Sequence, residues 1–184
     1  EFGTTEEQMA AVAVKNHFHA SLNPNAQFQN PLTIAQVMKS SCIADPLKLL
    51  DCSPISDGAS AVVITRISAS KRQRVNGIKI LASTVATDTL GLAQRKSLTE
   101  LAATRVAATK AYKQSGITAK DVDVAEVHDC FTIAEILAME DLGFFAKGKA
   151  ADAIARGETM LGQRDSGNLP QAQHDSRNQT LRHR

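Results

Sequence analysis

The stretch DVDVAEVHDCFTIAEILAMEDLG, residues 121–143, decides the fold. Its first part, Asp121 to Val127, carries β-branched residues in a pattern typical of a strand that faces a core. The polar turn His128-Asp129-Cys130-Phe131 follows, and then an apolar-periodic segment from about Thr132 to Leu142, which Gly143 can end as a helix. A strand, a polar loop and a helix in this order predict one unit of a layered α/β fold.

Sequence signals on both sides of this unit predict further helices. The segment TTEE at 4–7 reads as a capping box, which predicts a helix through about Ala20. Thr33 is expected to cap a short second helix, and SLTE at 97–100 a third, which Gly116 can end. The unit at 121–143 is therefore expected to lie among several helices.

Two apolar runs predict strands. Ser60 to Thr65 (SAVVIT) is short and rich in β-branched residues, which is typical of a buried strand, and a second strand is expected near Ile78 to Ala86. A basic turn at 71–74 separates them. This turn is the best candidate for a seam between two halves of the chain.

The composition favours a folded protein without a nucleic-acid partner. The chain has 184 residues, 43% of them apolar and 4% aromatic, so the core is expected to consist of Ala, Val, Ile and Leu. The net charge of +2 is small, and the basic residues are dispersed. No apolar run approaches the roughly 20 residues that span a bilayer. Three cysteines form neither a CxxC pair nor an even disulfide framework, which favours the cytoplasm; a peroxisome or mitochondrion is not distinguished.

The turn at His128, Asp129 and Cys130 joins an imidazole, a carboxylate and a thiol at the carboxyl end of a strand, where ligands gather in α/β folds. A thiol near a helix N-terminus can act as an acid or base, and a histidine can donate a hydrogen bond to an oxyanion. The alternative is structural: Cys130 as a small buried apolar side chain, His128 as a satisfied residue and Asp129 as a helix N-cap.

Other candidate residues are interpreted as structural. Cys42 and Cys52 are expected to be packed thiols, and His17 and His19 to lie on the polar side or at the frayed end of the first helix. No spacing of ligands predicts a metal site. The segment 163–184 is polar and without period, so it is expected to be disordered, either as a natural extension or as a foreign or out-of-frame tail.

Five blocks occur in the order seen in thiolases that resemble sterol carrier protein 2, over about Thr4 to Gly162. They are TTEEQ at 4–8, NPNAQF at 23–28, ADPLKLLDC at 44–52, SDGASA at 56–61 and EVHDCF at 126–131.

The resemblance implies a thiolase-like layered αβαβα fold built from two related halves. It divides the chain into residues 1–74, the end of the N-terminal half with its loop region and last strand; residues 75–162, an incomplete C-terminal half; and the tail 163–184. The chain would then be a fragment across the middle of the family fold, truncated in front of Glu1.

The resemblance also implies an acyl-CoA C-acyltransferase, which cleaves 3-ketoacyl-CoA with a thiol or joins acyl groups by Claisen condensation. His128 would help to hold an oxyanion and Cys130 would be the second acid/base. The coenzyme A thioester would be a substrate, with no permanently bound cofactor, and the complete protein would be a homodimer.

The family's nucleophilic cysteine would lie upstream of Glu1, and its Gly-His-Pro loop would fall after Gly162, where the sequence does not contain it. Two alternatives follow. The chain can be a noncatalytic or repurposed thiolase-like subunit, such as the retro-aldolase partner of an OB-fold protein, or an incomplete and inactive product.

Overall fold

The computed structural model describes residues 1–66, 68 and 78–161 and the backbone of residues 171–172. Five α-helices lie in these ranges, and two pairs of very short strands accompany them. The helices are α1 (Glu6–Ser21), α2 (Ile34–Lys39), α3 (Ala102–Ser115), α4 (Thr132–Asp141) and α5 (Ala150–Ala155), and the strands are β1 (Cys42–Ala44), β2 (Leu47–Lys48), β3 (Val124–Ala125) and β4 (Gln171–Ala172). Single 3-10 turns occur at Leu49–Asp51, Leu92–Gln94 and Ala119–Asp121.

Helix α1 begins one residue later than the sequence predicted. Thr5, rather than Thr4, is the N-cap: its hydroxyl accepts from the Gln8 amide, and the Gln8 side chain accepts from the Thr5 amide at 2.9 Å. The box therefore uses Gln8 instead of Glu7. Thr33 caps α2 in the same way with Gln36, as predicted.

The core lies where α1, α4 and α5 meet. Helix α1 contributes apolar side chains from one face, α4 covers them, and α5 closes the third side. The buried cluster contains Met9, Val12, Ala125, Val127, Ile136, Ala138, Met139, Phe144, Ala150, Ala151 and Ile154. The core is thus mainly aliphatic, with two methionines and one phenylalanine filling the gaps between small residues.

The predictions for α3 and α4 are confirmed in part. Gly116 ends α3 with a φ of +77°, and Gly143 follows α4 with a φ of +84°, both in the left-handed region that favours glycine. The prediction of a capping box at 97–100 is wrong, because α3 begins at Ala102 after Leu101 and has no side-chain cap. The Leu101 amide instead donates to an Asp141 carboxylate oxygen at 2.6 Å.

The two predicted strands at 60–65 and 78–86 are wrong. Neither segment is a strand in the described structure, and Val63 is 96% exposed and Ile78 70% exposed. A strand needs hydrogen-bonded neighbouring strands, and no described residues form one beside either segment. Residues 82, 84 and 86 are half-buried, and the Thr84 hydroxyl donates to the Ala107 carbonyl of α3 at 2.9 Å, so the second segment has a partly covered side but no partner strand in the described structure. The predicted boundary between residues 74 and 75 and its basic turn at 71–74 lie outside the described residues.

The strand predicted at 121–127 is present only over Val124–Ala125, which pairs in parallel with Gln171–Ala172. Strands β1 and β2 form a separate antiparallel pair. Apart from Gln171–Ala172, the segment 163–184 lies outside the described residues. The prediction that this tail is disordered therefore also falls outside them, except at those two residues. None of the helices described above is both long enough and apolar enough to cross a membrane.

Candidate active-site loop

The chain from Val124 to Cys130 alternates between the core and the surface. Ala125, Val127 and Asp129 are buried, with Asp129 only 2% exposed, whereas His128 is exposed and Cys130 is half-buried. Successive side chains of an extended chain point to opposite sides. His128 and Cys130 therefore lie on the same, outward side, two residues apart.

Asp129 does not cap the following helix. The N-cap of α4 is Phe131, which has an extended backbone and makes no side-chain capping bond. The structural alternative for Asp129, an N-cap, is therefore wrong. Asp129 points into the protein instead, where it meets helix α1.

A buried polar network lies beneath the loop. The Asn16 amide nitrogen donates to Asp129 Oδ2 and to Glu135 Oε2, each at 2.9 Å. The Lys15 ammonium donates to Asn16 Oδ1 at 2.6 Å and pairs with Glu135 Oε1 at 2.9 Å. All four residues are at most 3% exposed. The hydrogen bonds and the ion pair offset part of the desolvation of the buried charges.

A second contact holds the other end of the loop. The Ser53 amide donates to the Cys130 carbonyl at 3.0 Å, and Cys52 and Phe131 form an isolated antiparallel bridge. The Thr132 hydroxyl donates to the buried Asp51 carboxylate at 2.9 Å. The residues around Cys130 thus pair with the chain at 51–53 as a short ladder.

This ladder separates the two nearby cysteines. Residues directly opposite each other in an antiparallel pair share a face, so Cys52 lies on the face of Phe131, and Cys130 on that of Ser53. Cys52 is half-buried and its thiol contacts the Lys48 carbonyl, as expected for a packed thiol. Cys42 is exposed, so the prediction that it is packed is wrong; it lies in the short strand β1, whose residues face outward.

The prediction that His17 and His19 lie at the surface is also wrong. Both are buried: the chain at 28–30 lies against His17, and Leu161 lies against His19. His17 Nδ1 lies 3.2 Å from the Asn30 carbonyl, and its ring contacts Phe28. His19 Nε2 accepts a hydrogen bond from the Leu161 amide at 3.3 Å. Desolvation and the neighbouring Lys15 charge lower the pKa of His19 to about 3.

Replacing His19 by glutamine is expected to reduce the acid sensitivity of the fold. The unfolded chain binds a proton at His19 below about pH 6.5, whereas the folded protein does not until about pH 3. Stability therefore falls as the pH drops below 6.5, by on the order of 1–2 kcal/mol near pH 5. Urea unfolding at several pH values between 7.5 and 5 should show a shallower loss in His19→Gln, which keeps an acceptor for Leu161. An unchanged slope would contradict this assignment, and His128→Gln is the exposed control.

Lys15, Asn16 and Glu135 were not predicted from the sequence. One signal could have found them: residues 9, 12, 13, 16 and 20 lie on one face of a helix, and Asn16 is the polar member of that otherwise apolar stripe. A polar side chain at such a position requires buried partners.

Comparisons with known proteins identify a family and several relatives. A family described as thiolase C-terminal domain-like matches residues 84–174. The chain is 47% identical over 161 residues to an acetyl-CoA acetyltransferase of Methanothermobacter thermautotrophicus, covering 88% of this chain and 42% of that protein. It is 35% identical to human sterol carrier protein 2, covering 88% of this chain and 30% of that protein.

A solved structure described as an Ltp2-ChsH2(DUF35) aldolase is similar with a TM-score of 0.70 and 30% identity, over 85% of this chain and 42% of that one. The chain thus spans less than half the length of these relatives. Its fold is thiolase-like and corresponds to part of theirs, as predicted. The sequence blocks, the family match and the structural likeness agree: the chain belongs to the thiolase superfamily.

Proposed function

We propose that this chain is part of an acyl-CoA C-acyltransferase of the sterol-carrier-protein-2 type, which cleaves 3-ketoacyl-CoA by thiolysis or forms it by Claisen condensation. The observation that carries the proposal is the outward pairing of His128 and Cys130 above a buried Asp129. The relatives named acetyl-CoA acetyltransferase support the reaction class.

In this proposal Cys130 is the acid/base that moves a proton at the carbon next to the thioester. His128 donates a hydrogen bond, directly or through a water, to the oxygen on which negative charge develops. Two residues along an extended chain are about 6.5 Å apart, so both side chains can reach the same small acyl group from one side.

The proposal requires groups that this chain does not supply. The cysteine that takes the acyl group belongs to the region in front of Glu1, and splitting acyl transfer through that covalent thioester lowers each barrier. Residues 1–74 and 75–162 are parts of the two halves of the complete protein, which is a homodimer. The coenzyme A thioester is its substrate, and no permanently bound cofactor takes part.

The test is thiolysis of acetoacetyl-CoA by the complete polypeptide that contains this segment. We expect the 3-ketoacyl absorbance to disappear as acetyl-CoA forms, and an acyl-enzyme to be trapped on a cysteine in front of residue 1. Absence of both the acyl-enzyme and turnover with several acyl chain lengths would contradict the proposal.

A second candidate is an aldolase subunit that works with a small OB-fold partner protein. The likeness to the Ltp2-ChsH2(DUF35) aldolase favours it. A retro-aldol reaction needs a base at the hydroxyl group and an oxyanion donor at the enolate. In this candidate a group other than Cys130 is the base, so it predicts cleavage that survives Cys130→Ala and fails in His128→Ala. Thiolysis by the unmodified protein that is lost in both variants favours the acyltransferase.

A further inference from the structure

The Asn16 side chain links α1 to the candidate active-site loop through both of its N–H donors and its carbonyl oxygen. An asparagine amide has two N–H donors and one carbonyl acceptor. At Asn16 the donors serve Asp129 and Glu135, and the acceptor serves Lys15. The reverse orientation would place the carbonyl oxygen against two carboxylates and the NH₂ group against an ammonium, so the charges around it fix the amide.

The Asn16 contact acts together with the buried Ala125 and Val127 on the inward side of the loop. Asp129 is the polar member of the inward series Ala125, Val127 and Asp129. A carboxylate stays buried only while it has hydrogen-bonding partners, and Asn16 supplies one of them from a neighbouring element. If Asp129 turned outward, its neighbours would turn with it, because adjacent side chains of an extended chain point to opposite sides.

We propose that Asn16 is a positioning residue for the loop: by holding Asp129 inward, it keeps His128 and Cys130 together on the outward side. This inference rests on the proposed function only for its consequence in catalysis. Asn16 does not touch the reacting atoms and acts through Asp129. Lys15 and Glu135 fix the orientation of its amide.

The first test uses the 184-residue chain and needs no enzymatic activity. Asn16→Asp keeps the size of the side chain and places a third carboxylate between Asp129 and Glu135. We expect the rate of Cys130 alkylation by iodoacetamide, mapped by mass spectrometry at a fixed pH, to rise at least about fivefold as the loop is released. Cys42 is exposed on the same chain and serves as the internal reference.

Hydrogen exchange reports the same change on the backbone. The Ser53 amide, which donates to the Cys130 carbonyl, should lose about tenfold of its protection in Asn16→Asp. Glu7→Gln changes an exposed charge on the same helix and should leave both measurements within about twofold of the wild type.

The triple variant Asn16→Asp/Asp129→Asn/Glu135→Gln reverses both contacts: the new carboxylate at position 16 accepts from new amides at positions 129 and 135 and pairs with Lys15. It should return Cys130 alkylation to within about twofold of the wild type, which a loss of packing alone would not do. Wild-type alkylation and exchange in a folded Asn16→Asp would overturn the proposal. If Asn16→Asp does not fold, the triple variant decides: a folded triple variant with wild-type alkylation supports the proposal, and one that is unfolded or unrescued overturns it.

The complete polypeptide separates this proposal from the proposed function. Asn16→Asp should lower kcat for acetoacetyl-CoA thiolysis by about tenfold or more with little change in KM. A response of alkylation in a protein without thiolysis would leave the positioning intact and remove the proposed function. Thiolysis that is unaffected by Asn16→Asp would support the proposed function and overturn the positioning role of Asn16.

Discussion

Replacing Glu135 by alanine is expected to lower the free energy of unfolding by about 3–5 kcal/mol, because it leaves a buried ammonium without its carboxylate. Lys15 is 2% exposed and Glu135 is fully buried, and their atoms lie 2.9 Å apart. The same change also removes one acceptor of the Asn16 amide. Urea denaturation followed by circular dichroism would measure the loss.

Two variants show whether the uncompensated charge is the cause. Lys15→Met/Glu135→Gln removes both charges and keeps an amide oxygen for Asn16, so it should recover most of the stability lost in Glu135→Ala. Arg105→Ala breaks an ion pair with Glu100 in which Arg105 is 55% exposed, and should cost at most about 1 kcal/mol. A loss in Glu135→Ala no larger than in Arg105→Ala would show that Lys15 reaches water.

Cys130→Ala is expected to reduce kcat for acetoacetyl-CoA thiolysis by the complete polypeptide by about 10²–10⁴-fold, the usual contribution of a positioned acid or base. His128→Ala should cost about 10²–10³-fold, as expected for loss of one oxyanion donor. Steady-state kinetics on both variants would measure the two effects. KM should change little, because both contacts strengthen in the transition state.

Cys42→Ala is the matched control for the thiol, since Cys42 is exposed and lies in the separate strand pair β1 and β2. It should retain the wild-type kcat. Activity of Cys130→Ala close to the wild type, with His128→Ala inactive, would contradict the role of the thiol and favour the aldolase candidate instead.

The helices could be read from the sequence because their signals are local. Thr33 with Gln36, and the glycines at 116 and 143, mark helix ends through contacts within a few residues. The predicted start of α3 was wrong because its contact is not local. The group that accepts from the Leu101 amide is Asp141, 40 residues along the chain. No pattern at 97–100 contains that information.

The strands could not be read in the same way. The run at 60–65 has the composition of a buried strand, but a strand is stabilised by neighbours that come from distant parts of a chain. The sequence placed a turn at 128–131 between a strand and a helix, and the structure has it there, between β3 and α4; the roles of His128 and Cys130 stay predictions. The inward side of this turn was interpreted as a cap, because the partner of Asp129 is Asn16, 113 residues away.

The alternation along the loop has a consequence for engineering. The inward positions 125, 127 and 129 are fixed by the core and by the Asn16 amide, whereas positions 126 and 128 face outward and position 130 is half-covered. The contacts that hold the fold and the side chains of the proposed chemistry therefore lie on different sides of the same seven residues. A library that randomises positions 128 and 130 while keeping 127 and 129 would vary the proposed reacting groups on an unchanged scaffold.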